Sequence, residues 1–119
     1  MNLPKLDLIS EILGFEVKKI KRLDDIRMLH TEFHGWIVEC KDSDNDFLIT
    51  SLSELAHTSK YYAFDKGYIL VSYKEEDGWY CDIEERNTFG NTVSNHFDET
   101  EPEVIFKSCE WIWNKLKSV

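Results

Sequence analysis

Cysteine, proline, glycine and long apolar runs are all scarce in this chain of 119 residues, and each scarcity closes off a class of protein. The three cysteines, Cys40, Cys81 and Cys109, are odd in number, far apart and never in a C-x-x-C pair, so they encode neither a disulfide framework nor a thiolate zinc site. Each lies in an apolar stretch where a free thiol behaves as a small hydrophobe, which points to reduced core cysteines and a cytoplasmic setting. Two prolines and five glycines, set against four tryptophans, five tyrosines and seven phenylalanines, exclude a disordered chain. No uncharged apolar run is long enough to cross a bilayer and no signal peptide opens the chain, so no membrane association is expected. One domain is expected at this length, burying roughly two-thirds of its unfolded surface without disulfides or structural metal.

Catalytic signatures are equally scarce. The chain holds no phosphate-cradling glycine loop, no nucleophile elbow and no cysteine with an evident histidine partner. His30 and His34 share the spacing of a zinc helix, but Glu32 stands midway between them where neither zincin pattern places its glutamate, and no third ligand follows. They read as surface or edge-strand histidines. Asp42, Asp44 and Asp46 match the opening of a calcium loop, yet Phe47 occupies its glycine position and Ser53 its bidentate glutamate, leaving an acidic hairpin turn. Asp82, Glu84, Glu99 and Glu101 could supply a carboxylate pair, although spacing alone places no two of them across a sugar ring. A non-enzyme with no metal and no cofactor is therefore expected.

Charge is where the sequence is distinctive. Acidic residues number 23 against 14 basic ones, for a net charge of −9. The segment from Glu75 to Glu103 holds Glu75, Glu76, Asp77, Asp82, Glu84, Glu85, Asp98, Glu99, Glu101 and Glu103 against Arg86 alone, so it carries the whole of that net charge. Direct nucleic-acid binding, which draws on clustered lysine and arginine, is disfavoured; a basic protein partner is attracted. The basic run Lys18, Lys19, Lys21, Arg22 and Arg27 is interrupted by Asp24 and Asp25.

Periodicity gives the elements. Leu6, Ile9, Ile12 and Leu13 recur at helical spacing between Pro4 and Gly14, predicting a first helix over residues 4 to 13. The stretch Phe15 to Cys40 changes period, Phe15 and Val17 alternating with charged residues; within it Trp36–Cys40 reads as a half-buried strand, and Phe47–Ile49 follows as a short return strand. Ser51-Leu52-Ser53-Glu54 fits a capping box, after which Leu52, Leu55, Ala56, Ser59, Tyr62 and Ala63 form one helical face ending at Gly67. Tyr68–Tyr73, a hairpin turn at Asp77-Gly78, and the alternation of Trp79, Cys81 and Ile83 with Tyr80, Asp82 and Glu84 predict a one-sided antiparallel sheet, with a further strand over Val93–Phe97. Thr100-Glu101-Pro102-Glu103 caps a last helix whose stripe is Ile105, Cys109, Ile112 and Leu116, flanked by Phe106 and Trp113. The expected fold is α+β: an antiparallel sheet of about four to six strands covered by about three helices, in the order α, two to four strands, α, three strands, α. Most aromatics suit core or core-edge positions, but Tyr80 and Trp111 fall off the apolar stripes of their elements. With Glu75, Glu76, Asp77, Asp82, Glu84 and Glu85 they form the expected partner-binding set.

Two stretches carry a resemblance. Leu52-Ser53-Glu54-Leu55-Ala56-His57-Thr58-Ser59-Lys60-Tyr61-Tyr62-Ala63-Phe64-Asp65-Lys66-Gly67-Tyr68 resembles the "L-A-H-K-x-K-x-W-A-x-x-x-G-Y" helix of small uncharacterised phage and prophage proteins. The tail Asp98-Glu99-Thr100-Glu101-Pro102-Glu103-Val104-Ile105-Phe106-Lys107-Ser108-Cys109-Glu110-Trp111-Ile112 is similar to their "A-D-T-E-P-E-A-I-F-K-A" endings, with Val104 in place of an alanine and Ser59 in place of a cysteine in the earlier stretch. The resemblance implies a phage-type accessory protein and no activity. The expected role is a non-enzymatic module that binds a host or phage protein, in its sharper form an inhibitor occupying the basic groove of a nucleic-acid enzyme. An immunity-type protein that neutralises a toxin is the alternative, and a small carboxylate enzyme the third. The polar alternate faces of the strands leave oligomeric state open.

Overall fold

The computed structural model describes residues 4–22, 36–40, 47–50, 52–88 and 90–118. The expected His30–His34 pair, the Asp42–Asp46 turn and the Ser51 cap lie outside those residues. The chain forms two compact units, Lys5–Leu55 and Ala56–Val119. Along it run α1 (Leu6–Leu13), β1 (Val17–Arg22), β2 (Trp36–Cys40), β3 (Phe47–Thr50), α2 (Leu52–Asp65), β4 (Tyr68–Glu75), β5 (Gly78–Glu85), β6 (Thr92–Asp98) and α3 (Glu101–Lys117). The fold is α+β, with the expected element order. Among the described residues six strands form two antiparallel three-stranded sheets, β1-β2-β3 and β4-β5-β6, rather than one. In each, every strand pairs with its neighbour in sequence, so each meander is complete without the other.

In the first unit, α1 packs along β1 and buries Leu8, Ile9 and Ile12. The helix begins at Leu6, two residues later than the periodicity suggests, because Pro4 stands before the first turn and Lys5 occupies the cap position without a side-chain cap. Gly14 ends it at φ 79°, its N–H donating to the Ser10 carbonyl at 2.9 Å. The Ser10 hydroxyl donates to the Leu6 carbonyl and accepts from the Val17 N–H at 2.9 Å, tying the helix to the start of β1.

In the second unit, α3 covers one face of β4-β5-β6. The predicted alternation of β5 holds: Cys81 and Ile83 are wholly buried beneath the helix, while Tyr80, Asp82 and Glu84 point the other way. Val104, Ile105, Phe106, Cys109, Ile112 and Trp113 complete the core from α3, each large apolar side chain contributing on the order of 1.5–3 kcal/mol. Leu116, expected in the stripe, is instead 41% exposed. It lies in the last turn of α3, beyond Ile112 and Trp113, the last buried residues of the helix. Thr100 caps α3, accepting from the Glu103 N–H at 3.3 Å. Its hydroxyl also donates to the Glu103 carboxylate at 2.9 Å, so the returning bond meets the cap's side chain. On α2, Ala56, Ser59, Tyr62 and Ala63 are buried as their spacing predicts, and the Ser59 carbonyl accepts from the Cys109 thiol at 3.4 Å.

Candidate binding face

The hairpin between β4 and β5 determines what the uncovered face of the second sheet carries. Glu75 pairs with Gly78, so the two loop residues are Glu76 and Asp77, one position earlier than the expected Asp77-Gly78 turn. That shift matters for the partners. A turn at Asp77-Gly78 would set Glu75 opposite Tyr80, whereas the observed register sets Tyr73 there. Phe97 of β6 lies opposite Tyr80 on the other side. The three rings therefore form a row across three strands. Tyr73 and Tyr80 stack with centroids 5.7 Å apart and planes 14° from parallel, and Phe97 follows at 5.1 Å, tilted by 55°. These are the distances at which aromatic pairs attract beyond simple burial.

Polar contacts hold the row at its rim. The Tyr80 hydroxyl donates to Asp77 Oδ2 at 2.8 Å, and the Tyr73 hydroxyl approaches Asp82 Oδ1 at 3.5 Å. Asn95, opposite Asp82 on β6, donates both to the Tyr73 hydroxyl at 3.3 Å and to Asp82 Oδ1. The hydrogen bond to Asp77 is the first cause raising the Tyr80 phenol above its ordinary value; partial desolvation and the charges of Asp77 and Glu75 act in the same direction.

At the Tyr73–Tyr80 end of the row lies an open concavity of about 740 Å³. Glu75, Glu76, Asp77 and Asp82 supply its charge, Tyr73 and Tyr80 its rings, and Thr92 and Asn95 its neutral polar edge; among the described residues no lysine or arginine lines it. Opposite charge is drawn to such a surface and like charge is turned away. Five residues of the expected binding set, Glu75, Glu76, Asp77, Tyr80 and Asp82, are thus brought together. Glu84 shares their face but lies further along β5, opposite Ile69, and Glu85 ends the strand beside the Thr88 hydroxyl.

Trp111 belongs to the opposite face of the sheet. It packs edge-on against Tyr68 at 6.1 Å, lies 6.4 Å from the His96 ring, and has Lys115 over its own ring at 4.8 Å. The tryptophan that departs from the helix stripe is filling the seam between α3 and the sheet. Tyr73, Asn95 and Thr92 are the lining residues that sequence reasoning missed. Tyr73 belongs to the β-rich run before the turn, but only the turn's true register places it opposite Tyr80. A second hollow of about 380 Å³, formed by Tyr61, Phe64, Ile69 and Leu70 with the Lys60 stem, is apolar and shares no residue with the first.

Among the described residues, no group of three or more histidine, cysteine or acidic side chains could hold a metal ion, and no helix is long and apolar enough to cross a membrane. Comparison of the chain with protein-family models, with curated proteins and with solved structures returns no match.

Proposed function

We propose that this protein is a non-enzymatic, cytoplasmic protein-binding module of the phage or prophage accessory type, which seats a basic surface of a host or phage protein on the acidic face of its second sheet. The observation that carries this reading is the concavity in which four carboxylates surround a stacked tyrosine pair with no cationic side chain among its described lining residues. A face of this kind speeds encounter with a basic partner and makes the complex sensitive to salt. A basic nucleic-acid enzyme has the complementary surface, and an inhibitor of such an enzyme is the specific form of the proposal. The resemblance of the α2 and α3 segments to phage proteins supports the origin.

The test is capture from a host lysate at low and at raised salt, using the wild-type chain and the charge-reversed variant Glu75→Lys, Glu76→Lys, Asp82→Lys. The wild type is expected to retain a basic protein at low salt and release it at raised salt, and the variant to retain none of it. Capture of the same partner by both chains overturns the proposal.

A further inference from the structure

Carboxylates alone would receive lysine and arginine alike, and the uncovered face carries something more selective. We propose, resting on the basic-partner reading above, that the row Tyr73–Tyr80–Phe97 is the seat of an arginine side chain of the partner, its guanidinium lying against the rings while neighbouring carboxylates take its N–H groups.

The ring row is an observation separate from the charge. Phe97 is 38% exposed and Val71, next to Tyr73 along the same face of β4, is 41% exposed, so apolar surface continues across a sheet face that α3 leaves uncovered. Exposed apolar surface of this kind, rimmed by polar groups, marks a surface that is covered on association. Among the described residues the charged members of the rim, Glu75, Glu76, Asp77 and Asp82, are all acidic, and this charge complementarity identifies the occupant as cationic. Ring faces then select among cations. A guanidinium is planar and weakly hydrated and stacks on an aromatic face, whereas an ammonium is a compact, strongly hydrated point charge.

The seat is also preorganised. Tyr80 is held by Asp77 and Tyr73 by Asp82 and Asn95, each through its hydroxyl, and the two rings stack on each other, so less side-chain ordering remains to oppose binding. Those bonds use one oxygen each of Asp77 and Asp82, Oδ2 and Oδ1 respectively. A carboxylate can accept at both oxygens, which gives an arginine fork its partner at the edge of the ring it covers.

The experiment is an amide NMR titration of the full chain with a short amidated peptide alternating arginine and glycine, and with its lysine counterpart of equal charge. The arginine peptide is expected to bind about fivefold more tightly, shifting the signals of Tyr73, Tyr80 and Phe97. Tyr80→Ala and, independently, Tyr73→Leu are expected to bring the arginine peptide down to the level of the lysine peptide, while Tyr80→Phe, which keeps the ring, retains the preference. Unchanged dispersion of the remaining amide signals shows that each variant is folded. Equal binding of the two peptides, insensitive to the ring variants but lost in Glu75→Lys, Glu76→Lys, Asp82→Lys, overturns the arginine seat and leaves the acidic docking face standing. Shifts from neither peptide overturn both.

Discussion

The ring of Phe97 occupies the space that a side chain on Gly78 would need. A β-carbon at Gly78 would lie 2.6 Å from Cε2 and 2.8 Å from Cζ of that ring, and 2.9 Å from the Asp98 carbonyl oxygen. The residue also holds φ at 153°, a backbone conformation that L side chains rarely adopt. Glycine at this position therefore lets β6 close over the start of β5 and brings Phe97 against Tyr80. Gly78→Ala is expected to destabilise the chain by about 2–4 kcal/mol, combining overpacking with backbone strain. Urea unfolding checks this, and the cause can be separated. In a Phe97→Ala background the cost of Gly78→Ala should fall, because only the backbone conformation and the Asp98 contact then oppose the methyl group. An unchanged cost would show that the ring is not the obstacle.

Tyr80 should titrate above the ordinary phenol value of 10.0, with its hydroxyl bound to Asp77 and the charges of Asp77 and Glu75 opposing a phenolate. Asp77→Asn removes the strongest of these influences and is expected to lower the Tyr80 value toward the ordinary one. A site-resolved NMR titration of the tyrosine ring carbons follows this directly. A Tyr80 value indifferent to Asp77→Asn would mean that the bond does not hold the ring in solution.

What was legible in the sequence was local. The Thr100-x-x-Glu103 signal found the start of α3 because a cap is satisfied within one turn, and the alternation through Trp79–Glu84 found the two faces of β5 because the pleat repeats every second residue. The pairing of Tyr73 with Tyr80 was not legible, since it turns on a one-residue choice at the hairpin. Asp77-Gly78 carries the chemistry of a two-residue turn, but Gly78 is used for the close approach of Phe97. Trp111 shows the same limit from the other side. Its departure from the α3 stripe reads as exposure until Tyr68 and His96, both distant in sequence, are seen to enclose it. The division into two sheets was hidden for a related reason, because hairpin signals specify neighbouring strands and say nothing of whether one meander joins the next.

Lys60 and Glu101 meet at one hydroxyl: Lys60 Nζ donates to Ser72 Oγ at 3.0 Å, and Ser72 Oγ donates to Glu101 Oε2 at 3.0 Å. Helix α2, strand β4 and the first turn of α3 are joined by that pair of bonds. Ser72→Ala is expected to cost about 1–3 kcal/mol, since both charged groups lose a partly buried partner, and Ser72→Thr to cost less because it keeps the hydroxyl. Chemical denaturation of the two variants separates loss of the hydroxyl from change of bulk, and equal costs would assign the effect to packing.

Cys81 and Cys109 are wholly buried on the covered face of the sheet. Burial is the first cause raising the Cys81 thiol, against a smaller opposing effect of the Ser108 hydroxyl, and it pushes Cys109 up to about 12. The thiolate is the reactive form, so at neutral pH both are expected to resist alkylation in the folded chain and to react at the rate at which the second unit opens. Labelling followed by site-resolved mass spectrometry should show both sites accelerating together as urea is added. Rapid labelling of Cys109 in native buffer would contradict its burial.

His96 gives the second unit a stability that depends on pH. Its ring faces Trp111, contacts the Ser94 hydroxyl at 3.0 Å and lies near Lys107; burial first, and then the Lys107 charge, lower its value from the ordinary 6.5. The folded chain therefore binds this proton less readily than the unfolded chain does. Its contribution to stability is fully present above pH 6.5 and is lost as pH falls through that value toward the lower folded one. Unfolding midpoints measured from pH 7.5 down to about pH 5 should fall for the wild type, and fall less steeply for His96→Gln, which cannot take up the proton. Lys107→Met should also reduce the slope by removing the nearby cation, although it sacrifices the bonds of Lys107 to the Phe97 carbonyl at 2.8 Å and to Asp98 at 3.4 Å. Comparison of slopes rather than midpoints isolates the titration from that loss, and parallel curves for wild type and His96→Gln would show that the imidazole is solvated in the folded state.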